Sequence, residues 1–324
     1  MEQIAHGHGQ MRAQSFSIQV SSRTRCNAGC KFCISRTTPN IEQSEDVKIK
    51  LCDFKRLEVG LNYAKYLGAT HAILTGKADP TQEDREYLCR MVDLCRKYLP
   101  LVDFHTNGVL LHPGSKKHTL LEDLVACGLT MITFSIADFN EVMNHELMGI
   151  KKSAAELIPI ARDLGLMVRC SLVTNTMAVS SLEGVMAYVK KAGELGAHSV
   201  VVREVWIPAS FEGKNEEVFT WNQKARVDIK RIQDEFDWFA RNPEKDSMIH
   251  KTAKLYQGIY VRDPLPWGTP VFVVENVFDD PDHGVNVTFA RCDEATTGTV
   301  MKSIVHKPNG HGYRNWDSNG DILY

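Results

Sequence analysis

Three cysteines stand close together in CNAGCKFC, where Cys26, Cys30 and Cys33 follow a C-x3-C-x2-C spacing just after a short strand-like run. Thiolates at this spacing can converge on one centre from a single loop. Three chemistries suit such a loop: a disulfide, a zinc ion, or a metal cluster with one coordination position left over. The chain has nine cysteines, an odd number, spread thinly outside this loop. The N-terminus, MEQIAHGHGQMR, lacks the apolar core of a signal peptide, so the expected location is a reducing cytoplasm. In that compartment, close cysteines serve metals or catalysis rather than disulfides. A structural zinc site wants four closed ligands, and no second C-x2-C or H-x3-H pair completes one here. A cubane [4Fe-4S] cluster has four irons, so three cysteines leave one iron open to an exogenous ligand. The plainer account is three buried structural thiols, a spacing that an average, cysteine-poor chain seldom produces by chance.

The loop must be carried by regular elements. Strand-like runs fall at 15–20, 71–75, 101–106, 129–135, 166–173 and 198–206, with helical patterns at 53–67, 82–99, 117–127, 153–164 and 181–195. Gly68, Gly128, Gly165 and Gly196 stand where helices end before the next strand. Strands alternating with helical crossovers predict a parallel sheet. Along the strands a polar set (Ser17, Gln19, Asp103, His105, Thr133, Ser135, Arg169, Ser171) alternates with an apolar one (Phe16, Ile18, Val102, Phe104, Ile132, Phe134, Val168, Leu172). A sheet buried on both faces would read as nearly continuous apolar runs. A polar inner face predicts instead an incomplete (β/α)6 barrel around a wet cavity. Beyond Trp206 the rhythm changes: 208–222 reads as a loop, 223–240 as a helix, and the rest as short strands of an antiparallel tail. The expected organisation is a flexible tail (1–14), a barrel core (15–206) and an extension packed on it (207–324). With Lys+Arg 38 against Asp+Glu 40, the net charge is −2, and nothing marks a nucleic-acid groove or a membrane-binding face. No apolar run is long enough for a transmembrane helix. His6-Gly7-His8 is either a metal-binding element or a frayed tail.

The cysteine spacing, the aromatic Phe32 before its last member and its place after the first strand resemble the signature of radical S-adenosylmethionine (radical SAM) enzymes. The resemblance covers 15–206, and the barrel is similar to that of the molybdopterin-cyclase-like members. It implies a single [4Fe-4S] cluster on Cys26, Cys30 and Cys33, with the amino and carboxylate groups of SAM on the free iron. It further implies reductive cleavage to a 5′-deoxyadenosyl radical that abstracts hydrogen from a small-molecule or peptide substrate. Epimerisation, oxidation or rearrangement would follow. Oxygen sensitivity and a reductant such as flavodoxin or ferredoxin belong to the same implication; nucleic acid and membrane do not.

Further motifs carry the resemblance along the chain. ILTGKADPT stands where relatives have a Gly-Gly-Glu-Pro-like segment holding the SAM amino group, which points to Gly76, Lys77 and Asp79. Ala78 replaces a usual glycine and Asp79 a usual glutamate; the alternative is a β-α turn capped by Asp79. FHTNGVLL matches a recurrent T-N-G turn at the end of the third strand, pointing to Asn107. His105 on the polar face is either a catalytic substrate contact or a wall residue. FSIAD resembles an S-x-x-D pattern that places Ser135 and Asp138 near SAM. Arg169 and Ser171 match positions that bind SAM ribose and carboxylate, and Leu172 or Val173 would pack on adenine. An inward arginine needs a partner, so an internal salt bridge stands as the alternative, and Arg203 repeats the theme.

Beyond 170 the only cysteine is Cys292, so no further cysteine-rich cluster is expected. Cys170 faces the apolar side, and Cys52, Cys89, Cys95 and Cys127 lie in or beside helices. By elimination Cys292 is the candidate thiol hydrogen donor, with a buried structural cysteine as the alternative. HKPNGHGYRNW, with His306, His311, Tyr313 and Trp316, is either a lid joined by Trp206, Phe211 and Trp267 or an ordinary hairpin. Two competing functions stay open: a nucleotide-cyclising radical SAM enzyme, and an Fe–S or zinc protein used for binding or electron transfer only.

Overall fold

A computed structural model describes residues 11–37, 48–112, 119–207, 215–242, 258–265, 269–275, 284–290, 300–314, 316 and 322–324. The six anticipated strands are present: β1 (Arg12–Gln19), β2 (His71–Thr75), β3 (Leu101–Thr106), β4 (Met131–Ser135), β5 (Met167–Val173) and β6 (Ser199–Arg203). They run parallel, each beside the next. Between them lie α2 (Phe54–Tyr66), α3 (Arg85–Tyr98), α4 (Leu120–Ala126), α5 (Glu141–Met148), α6 (Leu157–Asp163) and α7 (Leu182–Glu194), after a short α1 (Ile34–Thr37) that follows the cysteines.

Local chemistry sets these boundaries. Asp53 caps α2, Asp84 caps α3, and Thr119 with Glu122 forms a reciprocal capping box on α4. The four glycines expected at helix ends adopt φ between 82 and 102°, the left-handed region in which L side chains are strained. Phe16, Ile18, Leu74, Val102, Phe104, Ile132, Phe134, Val168, Cys170 and Leu172 are fully buried on the outer face beneath the helices. Each large side chain removed from water in this way contributes roughly 1.5–3 kcal/mol. The other face carries Ser15, Ser17, Gln19, Asp103, His105, Thr133, Arg169 and Ser171, as the alternation predicts.

The C-terminal third is organised differently from the sequence expectation. Residues 216–222, expected as loop, belong to α8 (Glu216–Ala225), and the expected 223–240 helix is broken after Ala225 and resumes at Ile229, as α9 (Ile229–Arg241). Asp228, accepting from the Arg231 N–H, restarts the helix. β7 (Ile259–Arg262) and β8 (Val271–Val274) are antiparallel, as anticipated, but β9 (Val285–Ala290) joins β6 in parallel. β10 (Val300–His306) joins β1 in parallel, and β11 (Gly312–Tyr313) folds back on it. Among the described residues one sheet of eleven strands results, in the order β11-β10-β1-β2-β3-β4-β5-β6-β9-β8-β7, and it runs unbroken across residue 206. The HKPNGHGYRNW segment makes the antiparallel hairpin β10–β11, with His306 and Tyr313 buried. Phe211 and Trp267 of the anticipated lid lie outside the described residues, as do His6 and His8.

Candidate active site

The cysteine loop leaves the C-terminal end of β1 and is gripped from two sides. On one side the Gly29 and Lys31 N–H groups donate to the Met148 and Leu147 carbonyls at 2.8 and 2.9 Å, taking up acceptors that the last turn of α5 leaves unused. Gly149 then turns at φ 66°, so close that a Cβ there would stand 3.2 Å from the Gly29 nitrogen. On the other side Gln82, in the 3-10 turn Pro80–Gln82, accepts from the Asn27 N–H at 3.2 Å and donates to the Arg25 carbonyl at 3.2 Å. Ala28, Cys30 and Phe32 pack against a small apolar cluster of Ala137, Leu147, Met148 and Ile150. Trp221 of α8 joins them, its ring 6.4 Å from that of Phe32. Through Trp221, α8 thus packs on the cysteine loop.

Cys26, Cys30 and Cys33 are partly exposed, and none of the described cysteines is paired in a disulfide. Burial pushes the Cys26 and Cys30 thiols up, and the charge of neighbouring cysteines adds to it for Cys30. Bare thiolates are therefore disfavoured here, whereas a bound metal deprotonates a coordinating thiol outright. The Asn27 Nδ2 group, next in sequence to Cys26, is buried without a hydrogen-bond partner among the described residues, while the Cys26 thiol donates to its Oδ1 at 3.5 Å. Among the described residues no three His, Cys, Asp or Glu side chains converge on a single-ion site; a cubane instead takes one thiolate per iron. The donor set fits an iron–sulfur cluster.

The structure places the remaining expected residues as follows. Gly76, Lys77 and Asp79 lie on the turn after β2. A Cβ at Gly76 would come 3.1 Å from the Ala78 carbonyl oxygen, so this tight turn favours glycine. Asp79 is buried and caps the 80–82 turn, accepting from the Thr81 N–H at 3.0 Å. It also accepts from the Thr106 hydroxyl at 3.0 Å and the Asn107 N–H at 2.6 Å. Desolvation pushes its carboxyl up against these donors. Asn107 faces the cysteine loop. Ser135, at the end of β4, pairs in register with Ser171 on β5. Asp138 accepts from the Asn140 N–H at 2.8 Å and so shapes the loop before α5. Cys292 lies outside the described residues.

Lower in the barrel, Asp103 accepts from His105 Nε2 at 3.0 Å, Arg169 Nη1 at 3.1 Å and the Thr133 hydroxyl at 2.9 Å. Burial alone would raise this carboxyl, but His105, Arg169 and Thr133 outweigh it and hold it at about 2. Arg169 thus has its counter-ion inside the protein, and Arg203 Nε donates to the Ser171 hydroxyl at 3.1 Å. His71, near the same group, is held below its ordinary value by burial and then by the Arg169 charge. Sequence reading placed Asp103 and Thr133 on the polar face without giving them a role. The available signal was the carboxylate two residues from His105 on that face. It missed Asn27, Gln82, Gly149 and Trp221 altogether.

Residues 20–196, more than half of the chain, match the family model described as Radical SAM superfamily. The structure is similar to SuiB of Streptococcus suis bound to S-adenosylmethionine: TM-score 0.59 at 13% identity, covering 97% of this chain and 63% of that one. SuiB bound to the precursor peptide SuiA gives TM-score 0.54 at 15% identity, covering 94% and 60%. The chain thus spans less than two thirds of the length of these neighbours, and at such identity the likeness is one of fold, a partial barrel. A search of curated protein sequences gives no significant match.

Proposed function

Since the chain belongs to the radical SAM superfamily, an enzyme family whose cofactors are a [4Fe-4S] cluster and SAM, we propose that Cys26, Cys30 and Cys33 hold that cluster and that the enzyme abstracts hydrogen from a small molecule or a peptide. When bound, the cluster and SAM supply a carbon-centred radical able to break an unactivated C–H bond. The observation that carries the reading is the cysteine loop itself, gripped between the end of α5 and the 80–82 turn at the C-terminal ends of parallel strands, where ligands of such sheets gather.

The chain's own residues would divide the remaining work. Gly76, Lys77, Ser135, Asp138 and Ser171 would line the rim on which SAM lies. Asp79 shapes that rim from beneath, since its oxygens are already engaged by Thr81, Thr106 and Asn107. His105 and Arg169, both held by Asp103, would face the substrate from the floor. On this reading 15–206 is the catalytic core, 207–324 completes its flanks, and a flavodoxin or ferredoxin of the cytoplasm supplies electrons. No helix among the described residues is long and apolar enough to cross a membrane. The likeness to SuiB bound to a precursor peptide makes peptides the substrate class to try first.

Anaerobic reconstitution with iron and sulfide, followed by SAM and dithionite, is expected to yield 5′-deoxyadenosine and methionine. A cluster that forms but leaves SAM intact would favour the electron-transfer reading. Cleavage by a Cys26→Ala protein at the wild-type rate would overturn the ligand assignment.

A further inference from the structure

The T-N-G turn after β3 does something its resemblance does not assign. Asn107 is buried, and its side-chain amide and backbone N–H are all committed. Its carboxamide oxygen accepts from the Val109 N–H at 3.0 Å, which fixes the orientation of the amide. Its Nδ2 group therefore faces the cysteine loop, donating to Asn27 Oδ1 at 2.8 Å and to the sulfur of Cys26 at 3.8 Å. Its backbone N–H is held by Asp79. The turn cannot easily shift: Gly108 sits at φ 78°, and a Cβ there would stand 2.7 Å from the Ala154 side chain.

We propose that Asn107 is a positioning residue for the iron–sulfur centre, donating an N–H···S hydrogen bond to Cys26 that raises the cluster's reduction potential and couples it to the Asp79 turn. A donor aimed at a cysteine sulfur withdraws negative charge from the thiolate and favours the reduced cluster. The inference rests on the radical SAM reading. It goes beyond it by moving Asn107 from contact with SAM to contact with a cluster ligand.

Asn107→Ser keeps a short side-chain oxygen that can accept the Val109 N–H but has no amide to reach Cys26. Gln82→Ala loosens the same loop without removing a donor to sulfur. Both proteins and the wild type are reconstituted anaerobically, their iron and sulfide contents measured, and their midpoint potentials read by EPR in the absence of SAM. The expected result is a tenfold shift of the one-electron equilibrium toward the oxidised cluster in Asn107→Ser, about 59 mV, with the Gln82→Ala potential unchanged. An unmoved potential in Asn107→Ser overturns the proposal, as does an equal shift in Gln82→Ala, which would mean that loop support alone sets the potential. Loss of cluster from Asn107→Ser is decided by Asn107→Asp, which keeps the shape and replaces the donor by an acceptor; its potential must fall further. A wild type that forms no cluster overturns the functional reading as well, so the two failures are told apart.

Discussion

Replacing Asp103 by asparagine tests whether the barrel floor is held by charge. The carboxylate is fully buried and faces Arg169, His105 and Thr133 at 2.9 to 3.1 Å. Its displacement from 3.8 to about 2, at roughly 1.4 kcal/mol per pH unit, corresponds to about 2–3 kcal/mol of stabilisation. A depressed carboxylate contributes above its unfolded value and loses that contribution as pH falls through its folded one. At neutral pH the whole of it is therefore present, and Asp103→Asn is expected to cost about 2–3 kcal/mol. Removing the other partner should cost more. Arg169 is 27% exposed and can turn to water, whereas Asp103 is 1% exposed and cannot, so Arg169→Met leaves a buried anion and costs about 3–5 kcal/mol. Combining the two should cost less than their sum, because the second change no longer breaks anything. Urea unfolding of the four proteins, followed by circular dichroism at pH 7, measures all of this. If Asp103→Asn falls within about 0.5 kcal/mol of wild type, or the double variant is strictly additive, the electrostatic account of the floor is wrong.

Gly149→Ala puts a methyl group 3.2 Å from the Gly29 backbone and adds a left-handed strain of about 1–2 kcal/mol. Iron retained after reconstitution is expected to fall well below wild type. Gly165→Ala, equally left-handed but with open space around it, should keep its iron; equal losses in both would remove the clasp from the account. Separately, His306 is buried against Phe16 and Tyr324 and pushed down from 6.5 to about 4, chiefly by burial and then by His311, with Asp53 opposing. Its unfolded form binds the extra proton, so stability should rise by up to about 3 kcal/mol from pH 4 to 6.5. His306→Leu should flatten that rise, and an unchanged slope would assign it to other groups.

The barrel was readable because its cause is local. Alternation of Asp103 and His105 with Val102 and Phe104, or of Arg169 and Ser171 with Val168 and Leu172, states directly which face meets the helices. Helix ends were equally local, written in Asp53, Asp84 and glycines such as Gly128. What escaped depends on partners far along the chain. Nothing within 285–290 or 300–306 says that these strands run parallel to β6 and β1, because direction belongs to the pairing and not to the strand. α8 was hidden by its sparse apolar face, Val218, Asn222 and Ala225 being its buried residues. The family was legible from the cysteine spacing, from Phe32 before its last member and from the place of the loop after the first strand. The supports of that loop were not, since Gln82, Asn107 and Met148 reach it from 55, 80 and 118 residues away.

The strand that leads into the cysteine loop precedes the other described strands along the chain, yet one of its two flanking strands, β10, follows it from far downstream. Every contact that grips the loop from 79–82, 107 and 147–149 can form while the ribosome is still making the second half of the barrel. Until 300–306 emerge, however, β1 remains an open edge, with backbone donors and acceptors available to any passing strand. Birth of the protein therefore follows two clocks: an early one for the cysteine loop, and a late one for the strand beneath it.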